Sequence, residues 1–168
     1  AGEGLVFESE ITGATLPTEY FKPVEQGFKE AAQSGVVAGH PVVDIKAVLI
    51  DGSHHEVDSS EVAFKIAASM AFKDACQKAS PFILEPVMLM EVVTPEEFLG
   101  DVLGDLQSRR AQVQSMDAQT GLQIIKAFVP LAETFQYATI LRSNTTGRAS
   151  FSQELDHYAP APMIKKEA

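Results

Sequence analysis

The sequence predicts an α+β protein of two domains, and three observations carry that reading. Hydrophobic periodicity switches back and forth between two residues and three to four residues, the signatures of half-buried strands and amphipathic helices. Two prolines, Pro81 and Pro86, interrupt regular structure near the middle of the 168-residue chain and mark a boundary there. Beyond them the pattern runs strand, helix, strand, strand, helix, strand, a unit complete in itself. The length accommodates two compact domains, and 45% hydrophobic against 21% charged residues supplies enough apolar material for their cores.

Taken in order, Phe7, Ser9 and Ile11 alternate with Glu8 and Glu10 in a short strand that ends before Gly13. From Pro17 the period lengthens. Tyr20, Phe21, Val24, Phe28, Ala31 and Ala32 share one helical face, and Gly35 stops the helix. Val43, Ile45, Ala47 and Leu49 line one side of a second strand that runs into Asp51-Gly52. Asp58 and Glu61 have capping-box spacing, so a second helix is expected from about Ser59, burying Val62, Phe64, Ile66, Ala67, Met70, Ala71 and Ala75. Pro81 forbids its continuation beyond Ser80. In the second unit, residues 87–93 read as a strand. Thr94 is the expected cap of a helix, with Pro95 in its first turn and Glu97 in capping-box register. Residues 112–116 and 122–129 flank "DAQTG" as a hairpin, Pro130 opens a helix closed by "SNTTG", and residues 149–155 form a last strand. This order predicts a ferredoxin-like domain, an antiparallel four-stranded sheet with both helices on one face. The expected domains are 1–82 and 83–158, followed by a Pro/Ala-rich tail over 159–168 that leads into a helix.

Charge and motifs exclude more than they assign. Asp and Glu outnumber Lys and Arg by 23 to 13, which argues against a DNA-binding surface, since phosphate binding rests on clustered cations. No run of eighteen apolar residues and no signal-peptide pattern occurs, so the expectation is a cytoplasmic chain with no membrane partner. Cys76, the lone cysteine, sits among alanines and reads as a small buried hydrophobe. No phosphate-cradling glycine loop or nucleophile elbow is present. The densest chemistry lies in "IDGSHHEVDSSE", residues 50–61, with two adjacent histidines and four carboxylates. Metal binding there is poorly supported, because adjacent histidines point apart and Asp58 is wanted for the helix cap. The plain alternative is a solvated strand-to-helix loop, yet exposed imidazoles can also hydrogen-bond riboses, phosphates or base edges and stack on a base. Arg109 and Arg110 end a helix, where cations complement its dipole, with phosphate contact as the livelier alternative. "GRASF", from Gly147, is only a partial shadow of an RNA-recognition stacking motif.

Three long stretches carry a resemblance: "GHPVVDIKAVLIDGSHHEVDSSEVAFKIAASMAFKDA" from Gly39, "ILEPVMLMEVVTPEEFLGDVLGDLQSRR" from Ile83, and "FVPLAETFQYATILRSNTTGRASF" from Phe128. Together, over about residues 3–158, the chain resembles the C-terminal part of bacterial elongation factor G, a translational GTPase. The resemblance implies that residues 1–82 are most of the family's domain IV, an αβ domain like the second domain of a small-subunit ribosomal protein. That domain has a left-handed strand-helix-strand crossover, its first strand being absent here. Residues 83–158 would be the ferredoxin-like domain V. It further implies a ribosome-binding role in protein biosynthesis, the translocation of tRNA and mRNA, with the domain IV tip entering the small-subunit decoding site. Domain V would meet the GTPase-associated RNA of the large subunit. The family tip motif G-S-Y-H-D/E-V-D-S-S is matched by Gly52, Ser53, His55, Val57, Asp58, Ser59 and Ser60, with His54 in place of the tyrosine.

By the same resemblance, Gly52, Ser53, His54, His55, Glu56, Asp58 and Ser59, with Arg109, Arg110 and Arg148, are the ribosome-contacting candidates. GTP and Mg²⁺ belong to an N-terminal domain not present in this sequence, so no catalytic, cofactor or metal residue is expected, and the chain is expected to be a monomer. Two other readings stay open: a paralogue that recycles or protects ribosomes, and a metal-dependent hydrolase centred on His54, His55 and Asp51.

Overall fold

A computed structural model describes residues 2–162, and the chain divides into two compact units, Ala1–Ile83 and Leu84–Ala168. In the first unit, β1 (Leu5–Ser9) leads through a single 3-10 turn to α1 (Phe21–Ser34), which returns the chain to β2 (Ile45–Leu49). β1 and β2 are parallel neighbours, Leu5 opposite Ile45 and Ser9 opposite Leu49. The loop that follows β2 ends at α2 (Glu61–Lys78). Val24, Phe28, Ala31 and Ala32 of α1 form the core with Ala68, Phe72 and Cys76 of α2, and Phe7, Ile45, Ala47 and Leu49 of the strands pack against them. The Phe28 ring sits 5.8 Å from both Phe7 and Phe72. Burial pushes the Cys76 thiol pKa up, in keeping with its place in this core.

The buried face of α2 differs from expectation. Val62, Ile66 and Met70 are 66%, 56% and 67% exposed, while Ala68, Phe72 and Cys76 turn inward. The helix is apolar around most of its circumference, so periodicity alone could not choose the face. The choice is made by close packing. At Gly27 of α1, a Cβ would lie 2.3 Å from the Lys65 carbonyl oxygen and 2.9 Å from the Ala68 Cβ. Only a glycine opposite an alanine lets the two helices approach so closely.

In the second unit, β3 (Leu84–Pro95), α3 (Leu99–Ser108), β4 (Gln112–Gln119), β5 (Leu122–Pro130), α4 (Tyr137–Asn144) and β6 (Ser150–Pro160) follow in the predicted order. The sheet order is β4-β5-β3-β6, antiparallel throughout, which is the ferredoxin-like arrangement. Met90 pairs with Ala127 and Val92 with Ile125. These directly opposed residues are fully buried in one cluster with Val102 and Leu106 of α3 and Tyr137 and Leu141 of α4, so both helices cover the same face. The edge strands each skip one residue of register, at Gln114 in β4 and at Asp156 in β6. Such bulges discourage edge-to-edge pairing. Burial raises the pKa of Tyr137, whose hydroxyl has no hydrogen-bond partner among the described residues.

Several boundaries move for one reason: strand pairing outweighs capping signals. Pro95 is extended and pairs with Leu122, so Thr94 is a buried strand residue rather than a cap. A 3-10 turn over Glu96–Phe98 then precedes α3. Pro130 is likewise extended opposite Val87, and α4 starts only at Tyr137, after Gln136 adopts a left-handed φ of 62°. The hairpin turn shrinks to Thr120-Gly121, with Gln119 already opposite Leu122. β6 runs on to Pro160 and takes up the first residues of the expected tail. The helix anticipated beyond it falls on 163–168, outside the described residues.

Replacing Gly27 by Ala is expected to destabilise the first unit by about 1–3 kcal/mol, because the overpacked crossing must open. The intrinsic helix preference for Ala would by itself stabilise by roughly 1 kcal/mol. Urea unfolding followed through residues of this unit checks the sign, and a more stable variant would mean the crossing is looser than described.

Candidate nucleic-acid interface

The candidate site is the loop between β2 and α2. Its stem is closed by local hydrogen bonds. Asp51 Oδ1 accepts the Gly52 N–H at 2.7 Å. The His55 N–H donates to Ser59 Oγ at 2.8 Å, and the Ser59 N–H returns to the His55 carbonyl at 3.1 Å. This reciprocal pair closes residues 55–59 into a single turn. Ser60, with extended backbone, caps α2 through Oγ, which accepts the Ala63 N–H at 3.1 Å. The cap is therefore Ser60, not Asp58, and Asp58 belongs to the exposed turn beside Glu56 and Val57. Side-chain capping works from the residue adjoining the first helical turn, and in "DSSE" that place falls to the second serine.

The loop is also braced from outside. His54 Nδ1 lies 3.3 Å from the Thr15 carbonyl. Leu16, 3% exposed, lies under Gly52, where a Cβ would come within 3.1 Å of its Cδ2. Behind the loop, Phe64 of α2 stacks on Tyr20 with ring centres 4.2 Å apart. Above this support His54, His55, Glu56, Val57 and Asp58 are all exposed, Val57 at 99%. A shallow open depression is lined by Ser53, His55, Asp58, Ser59, Ala63, Phe64 and Ala67. From Lys46 to Lys65 there is no intervening cation, whereas Asp51, Glu56, Asp58 and Glu61 are all carboxylates. Of these carboxylates only Asp58 lines the depression, beside the apolar Ala63, Phe64 and Ala67, and such a lining suits the edge or face of a base, or a ribose hydroxyl, better than a phosphate.

The cations of the second unit are mostly engaged internally. Arg109 is buried at 9% exposure. Its Nε donates to Asp105 Oδ2 at 2.9 Å, Nη1 donates to the carbonyls of Glu133 at 2.6 Å and Phe135 at 3.3 Å, and the guanidinium lies 5.1 Å over the Tyr137 ring. It ties α3 to the segment before α4, so its expected surface role is withdrawn: the side chain is only 11% exposed, and its Nε and Nη1 donors are spent on acceptors within the unit. Arg110 reaches Glu85 at 2.5 Å and Glu133 at 3.8 Å, and these carboxylates raise its pKa further. Arg148 is half-exposed, paired with Glu97 and placed over Phe98. Arg142 of α4, which sequence reading passed over, is exposed and belongs to none of the ion pairs among the described residues. No group of three or more His, Cys, Asp or Glu among the described residues could hold a metal ion, and no described helix is long and apolar enough to cross a membrane.

Residues 1–80 match the family model described as elongation factor G, domain IV, and residues 82–168 match elongation factor G C-terminus. The chain belongs to the elongation factor G family. A crystal structure from Thermus thermophilus is similar at 45% identity with a TM-score of 0.79, over 96% of this chain and 24% of that one. The chain thus spans about a quarter of the length of the structure it matches. Within this elongation factor G chain, the loop keeps Gly52, Ser53, His54, His55, Glu56, Asp58 and Ser59 together on one short segment. Arg110 and Arg148 lie in the other unit. Thr15 and Leu16 were not legible as part of the loop. Their only sequence signal is an apolar residue stranded between Gly13 and Pro17, in an otherwise polar turn.

Ser60→Ala should cost about 1 kcal/mol through loss of the cap, whereas Asp58→Ala should stay within about 0.5 kcal/mol as a surface change. Thermal or urea unfolding of the two variants, side by side, checks the assignment, and the reverse ranking would restore the cap to Asp58.

Proposed function

We propose that this chain is the ribosome-contacting part of a cytoplasmic translation factor that promotes translocation of tRNA and mRNA. In this reading the histidine loop enters the small-subunit decoding site. The observation that carries it is the loop itself: an exposed imidazole, His55, on a turn closed by Ser59 and capped by Ser60, within a chain matched along its length by elongation factor G domains. His55 and the residues around it occupy the space that the moving RNA leaves and oppose its return. No bond is made or broken by these residues. GTP and Mg²⁺ are held by another domain of the longer protein, and none of the residues described above is assigned to them.

The second unit meets large-subunit RNA through Arg110, Arg142 and Arg148. Arg110 and Arg148 must first yield part of their internal pairing, and exposed ion pairs give way at low cost. The net charge of −10 opposes general adhesion to RNA, so contact is confined to these places and remains short-lived, as suits a factor that must leave. The hydrolase alternative finds no support in the loop geometry, because the His54 ring is turned to the Thr15 carbonyl.

In the longer protein, His55→Ala should slow single-turnover translocation by about tenfold or more, equivalent to about 1.4 kcal/mol in the barrier, with GTP turnover nearly unchanged. Parallel rapid-kinetic measurements of tRNA movement and phosphate release make the test. Equal loss of both would remove the loop-specific role.

A further inference from the structure

We propose that His54 is a positioning residue, its exposed ring tied through Nδ1 to the Thr15 carbonyl to hold the loop, so that His55 is the imidazole left free for RNA. The proposal deepens the function put forward above and rests on it only for its consequence in translocation.

The two rings differ in what they face. His55 is pinned through its backbone, by both hydrogen bonds to Ser59, which leaves its side chain free. His54 is pinned through its side chain, Nδ1 to the Thr15 carbonyl. A carbonyl oxygen only accepts, so Nδ1 must carry the proton, and in the neutral ring Nε2 is left as the acceptor. The same polar turn that offers the Thr15 carbonyl sends Leu16 beneath Gly52. One segment therefore grips the loop twice, by a hydrogen bond at residue 54 and by apolar contact at residue 52. Tyr20, just beyond it, donates its N–H to the Pro17 carbonyl and stacks on Phe64, which anchors the gripping segment to α2. With no lysine or arginine in the loop to hold RNA by charge, correct placement of His55 depends on this rigidity.

The test uses the 168-residue chain, labelled with ¹⁵N, and two variants. His54→Phe keeps an aromatic ring and removes the donor; His54→Asn keeps a donor near the Nδ1 position. The expected results are an Nδ1–H tautomer for neutral His54, and amide exchange at His55 and Ser59 about fivefold faster in His54→Phe. Exchange in the middle of α2 should be unchanged, and most of the protection should return in His54→Asn. An Nε2–H tautomer, or unchanged exchange at both amides in His54→Phe, would overturn the proposal. A translocation assay on the longer protein then separates the two readings. With the brace and the function both correct, His54→Phe slows translocation and adds nothing further on top of His55→Ala. If exchange responds as expected but His55→Ala leaves translocation intact, the brace stands and the proposed function fails.

Discussion

The close crossing of α1 and α2 at Gly27 is the constraint from which the rest of the first unit follows. With the Lys65 carbonyl and Ala68 set directly against a glycine, α2 can neither rotate nor slide without a clash or a void. That fixes which face of α2 is buried and where its first turn lies. The first turn in turn places Ser60 as cap, and Ser59, one residue earlier, as the partner of His55. The position of an exposed imidazole is thus set by a contact deep between two helices, through a short run of hydrogen bonds made by the backbone and the Ser59 and Ser60 hydroxyls. Loops that carry function are commonly held this way, by a rigid element at the base rather than by contacts at the summit.

Much of this was legible in the sequence. The order of elements in the second unit follows from periodicity and from Pro81 and Pro86, and the sheet topology follows from that order. The position of the histidine loop was legible too, because Asp51-Gly52 ends one period and the serines begin another. Three things were hidden. The face of α2 could not be read, since Val62, Ile66 and Met70 are as apolar as the residues that turn inward, and only the Gly27 crossing decides between them. The starts of α3 and α4 were misplaced because Pro95 and Pro130 satisfy helix-start chemistry and strand pairing equally well, and the pairing is what forms. The brace by Thr15 and Leu16 spans 39 positions from Thr15 to His54, and nothing local in either segment announces it.

The arginines show how charge can mislead when read singly. "SRR" at a helix end offered two phosphate contacts as an alternative to a dipole role, yet Arg109 is a structural tie beneath the surface and Arg110 is paired with the carboxylates of Glu85 and Glu133. In the proposed function, what is left for RNA is a small set of partly or wholly free cations in the second unit and an exposed imidazole in the first. In the proposed function, such a surface favours shape and base edges over phosphate density.

The most direct test of the account is directed hydroxyl-radical cleavage of ribosomal RNA from a chelated iron tethered at residue 57 of the longer protein. It uses Val57→Cys with Cys76→Ser, since Val57 is 99% exposed and takes part in no described hydrogen bond. The account predicts strand cleavage in small-subunit RNA around the decoding site, in complexes trapped on the ribosome. Cleavage confined to other regions, with binding intact, would contradict it.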